Sequence, residues 1–175
     1  MNTHGKRMRS CVIVLFVLYT AAMLYLLFLE RILHDPSLFY HREEGVPYAV
    51  NVLHHVKLTP LVTIKGFARE VRAQGMDVQL LDFAFDNLAG NILFFLPVGL
   101  FLPYFWKWQR HPVFFFFTDL MLIGCVEITQ AVALVGTCDI DDVILNVLGG
   151  CAGFVLYHSV CFFHRRYTYG KPELT

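Results

Sequence analysis

Charge is scarce in this chain, and it is balanced. Asp, Glu, Lys and Arg make up only 16% of the 175 residues, and the formal net charge is zero. The cations form short clusters at segment ends rather than a basic stripe, so no nucleic-acid partner is expected. A glycine-rich nucleotide loop, zinc-finger spacing and a Ser-His-Asp signature are all missing. Paired cysteines are missing too. Cys11, Cys125, Cys138, Cys151 and Cys161 include no Cys-x-x-Cys, and all but Cys138 lie in or at the ends of apolar segments. They read as small hydrophobes and not as a disulfide framework. No cofactor and no resident metal is expected on these grounds.

What the chain has in excess is apolar surface. Hydrophobic residues reach 57%, aromatic residues 15%, and Phe alone occurs 17 times; the mean hydropathy is +0.55. An ordinary soluble domain is less apolar than this. Ser10–Leu29 is long enough to cross about 30 Å of hydrocarbon. Lys6, Arg7 and Arg9 precede it as they would a signal peptide, but the run is longer than a signal core. No small-x-small cleavage site precedes Glu30-Arg31, so an uncleaved first span is expected. Further spans are expected at Phe85–Phe105, Pro112–Val135 and Ile140–Phe163. The resulting class is an all-α integral membrane protein with about four transmembrane helices. Trp106–His111 links the second and third spans, residues 136–139 link the third and fourth, and residues 1–9 and 164–175 are the ends.

The cations set an orientation. Lys6, Arg7 and Arg9, then Lys107 and Arg110, then Arg165, Arg166 and Lys171 all fall on one side of a four-span chain. The positive-inside rule then puts both termini in the cytoplasm, with Glu30–Ala84 as a long outer loop. In that loop Leu61, Ile64, Phe67, Ala68 and Val71 recur at helical spacing after Pro60. They predict an amphipathic helix over about residues 60–74, ended near Gly75 and lying on the membrane surface or covering the bundle. His34, His41, His54 and His55 also lie there. Adjacent His54 and His55 point apart on a helix or a strand, which argues against a metal site.

Polar residues interrupt the last three spans at helical spacing. Asn87 and Asn91 open the second; Glu127 and Gln130 share one face near the end of the third. Asp139, Asp142 and Asn146 share a face of the fourth, with Asp141 beside them. One such acid at a helix centre costs about 2.5–3.5 kcal/mol on insertion scales. Capping accounts for Asp139 or Asp141 at the helix start but not for Asn146, a turn deeper. Together these residues predict a polar ligand site at the outer face. Gly149, Gly150 and Gly153 give small-x-x-x-small spacing for close helix packing. Pro97-Val98-Gly99 predicts a kink, read first as a matter of shape. Asp119, about 12 Å below Glu127 along the helix, is either a packing acid or a lower relay position.

Four stretches in order resemble the VanZ-like family of bacterial membrane proteins. They are Leu58-Thr-Pro-Leu-Val-Thr-Ile64, Asn87-x-x-x-Asn91-Ile-Leu-Phe-Phe-Leu-Pro-Val-Gly99, Glu127-x-x-Gln130 and Asp139-Ile-Asp-Asp-Val-Ile-Leu-Asn146-x-x-Gly149-Gly150. The resemblance runs from Leu58 onward, with residues 85–163 as its core. It implies a link to resistance against teicoplanin, a lipid-tailed glycopeptide. Many members carry a Ser where this chain has Ile123, and an Arg where it has Gly136-Thr137-Cys138. Without that Arg the site is more acidic, which favours a cationic or hydrogen-bond-rich ligand, or a metal ion, over an anion.

The expected function is non-enzymatic: binding or shielding against an amphiphilic envelope ligand such as a lipoglycopeptide, with the bilayer as constant partner. A metal-dependent intramembrane enzyme acting on a lipid-linked envelope precursor stays open, with Glu127, Asp139 and Asp142 as oxygen ligands. So does a proton-coupled transporter using Glu127 and Asp119. Four spans without an inverted repeat favour a homo-oligomer over a monomer for that last role.

Overall fold

The computed structural model describes residues 3–34 and 45–169; His41 and Lys171 lie outside the described residues. The first long helix, α1 (Thr3–Leu24), starts on a cationic turn and continues as a mostly apolar run from Cys11. It widens into a π turn at Tyr25–Leu29 and closes with α2 (Glu30–His34). Along Gly5–Leu29 only Met23 is buried, while Ile13, Val14, Leu15, Val17 and Leu18 are exposed. Exposed aliphatic side chains on most of a helix suit a surrounding of hydrocarbon, where the backbone must satisfy itself internally.

The chain continues through α3 (Tyr48–His54), the two-residue strand β1 (Val56–Lys57), α4 (Val62–Gln74) and α5 (Val78–Phe83). Asp77 caps α5, its Oδ1 accepting the Leu80 N–H at 2.7 Å. Helix α4 follows Pro60 and stops at Gly75, whose φ of +80° favours a residue without Cβ. A second π turn, Ala84–Ala89, joins α5 to α6 (Gly90–Phe105), which runs on through Pro97 and Pro103. A 3₁₀ turn at Lys107–Arg110 leads to α7 (Pro112–Val132); β2 (Cys138–Asp139) and α8 (Ile140–Tyr169) complete the chain.

Among the described residues four helical stretches are long and apolar enough to cross a membrane: Gly5–Leu29, Val78–Phe105, Pro112–Val132 and Ile140–Tyr167. The protein is thus an all-α membrane protein. The second stretch starts at Val78, ahead of Phe85, because the π turn carries the helix onward instead of ending it.

Two compact units are distinguished. The first is formed by the chain up to Leu58 together with Cys125–Asp139, the second by Thr59–Gly124 and the chain from Ile140. In the first unit β1 pairs in parallel with β2, Val56 opposite Cys138 and Lys57 opposite Asp139. Helix α7 ends there on Leu134, at φ +56°. The Leu134 N–H reaches the Ala131 carbonyl and the Val135 N–H the Gln130 carbonyl, a Schellman pattern closed by a buried leucine instead of glycine.

The second unit is organised by glycine. A Cβ on Gly149 would collide with the Ile92 carbonyl, one on Gly153 with the Leu96 carbonyl, and one on Gly99 with the backbone of Gly150 and Phe154. These contacts, in rising order on both helices, make α6 and α8 parallel neighbours at backbone distance. Phe115 of α7 stacks on Phe154 of α8, ring centroids 4.6 Å apart. Gly150 leaves room for the Asp119 carboxylate.

Candidate functional site

The polar residues singled out in the sequence divide between the units. Glu127, Gln130 and Asp139 belong to the first; Asn87, Asn91, Asp141, Asp142 and Asn146 belong to the second, with Gly149, Gly150 and Gly153.

In the first unit the polar side chains hold backbone. Glu127 is buried, and its Oε2 accepts the Asp139 N–H at 3.3 Å, tying the end of β2 to α7. Gln130, also buried, donates from Nε2 to the Leu27 carbonyl at 3.1 Å. Leu27 lies inside the first π turn, where the widened ladder changes which carbonyls find a partner along the helix. Tyr48, not singled out in the sequence, donates its hydroxyl to the Val132 carbonyl. Asn51 is 1% exposed and donates to the Val46 carbonyl at 3.3 Å, while its own carbonyl meets His55 Nδ1 at 2.8 Å. Their signal in the sequence was faint: single polar letters in a long loop, without helical repetition. Burial pushes the Cys138 thiol above its ordinary range, and the carboxylates of Glu127 and Asp139 add to the effect. A thiol so placed is a poor nucleophile at neutral pH.

In the second unit Asp141 is 0% exposed and grips the start of α4. One carboxylate oxygen accepts the Leu61 N–H and the other the Thr63 N–H at 2.8 Å. Leu61 sits at φ +64° with no cap from its own side chain, so this acid from 80 residues away supplies the cap and the negative charge that a helix N-terminus favours. Asp141 is a capping acid, then, but for α4 and not for its own helix. The contact also joins two of the stretches quoted for the family resemblance, Leu58–Ile64 and Asp139–Gly150.

Asp142 and Asn91 meet directly: Asn91 Nδ2 donates to Asp142 Oδ1 at 2.7 Å, pairing the first turns of α6 and α8. Asn146, one turn along α8, is 3% exposed and its Oδ1 has no hydrogen-bond partner. Asn87 stands apart. It is exposed and donates back to the Phe83 carbonyl at 3.2 Å within its own helix. The π turn at Ala84–Ala89 accounts for this, since a wider turn takes Asn87 out of the 3.6-residue register that would align it with Asn91. Asp139 precedes α8, in β2, and so does not share a helical face with Asp142 and Asn146. Asp119 is 0% exposed with neither carboxylate oxygen hydrogen-bonded. Ile123, one turn before Glu127, is fully buried. Among the described residues no three His, Cys, Asp or Glu side chains gather as a metal-ligand set.

What remains among the described residues after the structural duties are subtracted is the Asn91–Asp142 pair with the open acceptor of Asn146, on two apolar helices held at backbone distance, and the buried carboxylate of Asp119. No curated protein and no solved structure matches the chain. A family model, VanZ/LLP1, matches residues 16–163, from within the first long helix to the last turns of α8. With that match covering most of an all-α membrane protein, the chain belongs to the VanZ/LLP1 family.

Proposed function

We propose that Asn91, Asp142 and Asn146 form the polar end of a binding site for an amphiphilic envelope ligand, and that the protein shields against a lipid-tailed antibiotic of the teicoplanin type. The single observation that carries this reading is the buried, unpartnered Oδ1 of Asn146 one turn below the Asn91–Asp142 pair. An unsatisfied buried acceptor costs about 1–3 kcal/mol. A side chain kept only for packing would avoid that cost.

The chemistry of the ligand follows from the site. Asn146 Oδ1 and the Asp142 carboxylate are acceptors, so the group that enters is a donor: a hydroxyl, an amide N–H or an ammonium. A glycopeptide head is rich in such donors. Its acyl tail would lie along the exposed aliphatic surface of the same helices, where Leu93, Leu148 and Val155 are uncovered. In the orientation set by the cationic segments this end faces outward. No observation favours the metal-dependent enzyme, and the transporter reading has Asp119 alone in its support.

The test is paired susceptibility of a sensitive Gram-positive host to teicoplanin and vancomycin, with and without this gene. A rise for teicoplanin alone, lost in Asp142→Ala and Asn146→Leu proteins that insert normally, is the expected result. Equal protection by the wild type and both variants would overturn the site.

A further inference from the structure

At the other end of the α6–α8 pair lies a cavity of about 320 Å³ that the reading above leaves unused. It is lined by Arg110, Tyr157, His158, Cys161, Phe162 and Arg165. Three of these carry or can take a positive charge, and none is acidic. The spacing on α8 explains the gathering. Tyr157, Cys161 and Arg165 follow at four-residue steps, so they stack on one ridge of the helix, with His158 and Phe162 on the ridge beside it.

One of the cations, Arg110, is held in place before any ligand arrives. Arg110 donates from Nε to the Pro103 carbonyl at 3.0 Å, which restrains the guanidinium plane and leaves its terminal nitrogens facing away from that carbonyl. The Tyr157 hydroxyl and the Cys161 thiol line the same cavity as Arg110. His158 keeps Nδ1 on the Phe154 carbonyl at 3.0 Å and packs tilted against that ring, centroids 4.3 Å apart and planes at 41°, so Nε2 is its second polar group. Such prior fixing lowers the ordering cost of binding.

We infer that this cavity binds a phosphate group, and that its source is the headgroup of an anionic phospholipid. Two guanidinium groups with hydroxyl and imidazole donors are the groups that recognise a phosphate ester. The volume sits at the small end of ligand pockets, about 300–1,000 Å³, which suits a headgroup and excludes the acyl chains. Those chains have an apolar surface at hand. Phe162 lines the cavity and is 58% exposed, and Val160 and Phe163 beside it are exposed to a similar degree. Basic pockets between membrane helices are a known way of holding anionic lipid heads. The inference is independent of the Asn91–Asp142–Asn146 site, because it concerns different residues and a ligand already in the bilayer.

The experiment uses the purified full chain in dodecyl maltoside, titrated calorimetrically with dioctanoyl phosphatidylglycerol, dioctanoyl phosphatidylcholine and glycerol 3-phosphate. The expected result is a Kd for phosphatidylglycerol at least tenfold below that for phosphatidylcholine. Arg165→Gln abolishes that preference, Arg165→Lys keeps part of it, and Arg166→Gln, outside the cavity, leaves it whole. Glycerol 3-phosphate binding as tightly as phosphatidylglycerol would uphold the phosphate site and overturn the lipid as its source. Equal affinity for the two lipids, or an Arg165→Gln protein that behaves as wild type, would overturn the site itself.

Discussion

In sequence the polar residues of the two units are alike, acids and amides at helical spacing within apolar helices, yet they do different work. In the first unit Glu127 and Gln130 each tie down backbone: the N–H of Asp139 at the end of β2, and a carbonyl in the π turn of the first helix. In the second unit Asp141 does the same for α4, but Asn146 retains an acceptor that no group among the described residues answers. Spacing identifies groups that hydrocarbon would reject. Partnership separates those that stabilise irregular backbone from those on which the proposed ligand site rests.

Mutation can test this contrast, starting with the packing on which both α6 and α8 depend. Gly153→Val drives a branched side chain into the Leu96 carbonyl. Overpacking of this kind costs about 1–3 kcal/mol, and more where backbone must move. The monodisperse fraction in detergent and the Tm should both fall sharply. Gly124→Ala is the control: nothing lies within 4 Å of a Cβ there, so both measures should stay level.

Asp141→Ala comes next. It leaves the backbone donors of Leu61 and Thr63 without their acceptor and removes a helix cap, a loss of about 1–3 kcal/mol. Hydrogen exchange should accelerate across Val62–Gln74 while α6 and α8 keep their protection. Uniform acceleration through all helices would mean that Asp141 supports more than the start of α4.

Gln130→Leu removes one neutral hydrogen bond to the Leu27 carbonyl, which is worth about 1 kcal/mol. A small drop in Tm with antibiotic protection unchanged would keep Gln130 among the structural residues. Loss of protection at unchanged Tm would move it to the ligand side.

The smallest effect concerns Cys138. Its thiol is held up by burial first and by the neighbouring carboxylates second. Glu127→Gln removes one negative charge, lowers the thiol's pKa and raises the thiolate fraction at any pH below it. Maleimide labelling at pH 8 should therefore run several-fold faster in the variant, and a Glu127→Asp protein should label near the wild-type rate.

The membrane class was legible in the sequence because hydrocarbon thickness fixes the length of an apolar run, and the runs are there to be counted. The spans expected at Ser10–Leu29 and Pro112–Val135 needed no tertiary information. The polar positions were legible as anomalies for the same reason. Their partners were not. Asp141 meets Leu61 and Thr63 across a separation that no local period encodes. Asn87 falls out of line with Asn91 because the π turn breaks the 3.6-residue count on which the alignment rested. Gly99 read as part of a proline kink, whereas in the fold it lets the α8 backbone close on α6. The β1–β2 bridge is too short for any alternation to announce it.

Whether Asn146 is kept for a ligand and not for the fold is decided by Asn146→Leu. Tm and the binding of a fluorescent teicoplanin should be measured side by side on the purified wild type and variant. A buried leucine removes the unsatisfied acceptor, so the Tm should equal or exceed that of the wild type while binding weakens at least tenfold. A lowered Tm with teicoplanin binding intact would mean that Asn146 serves the fold instead.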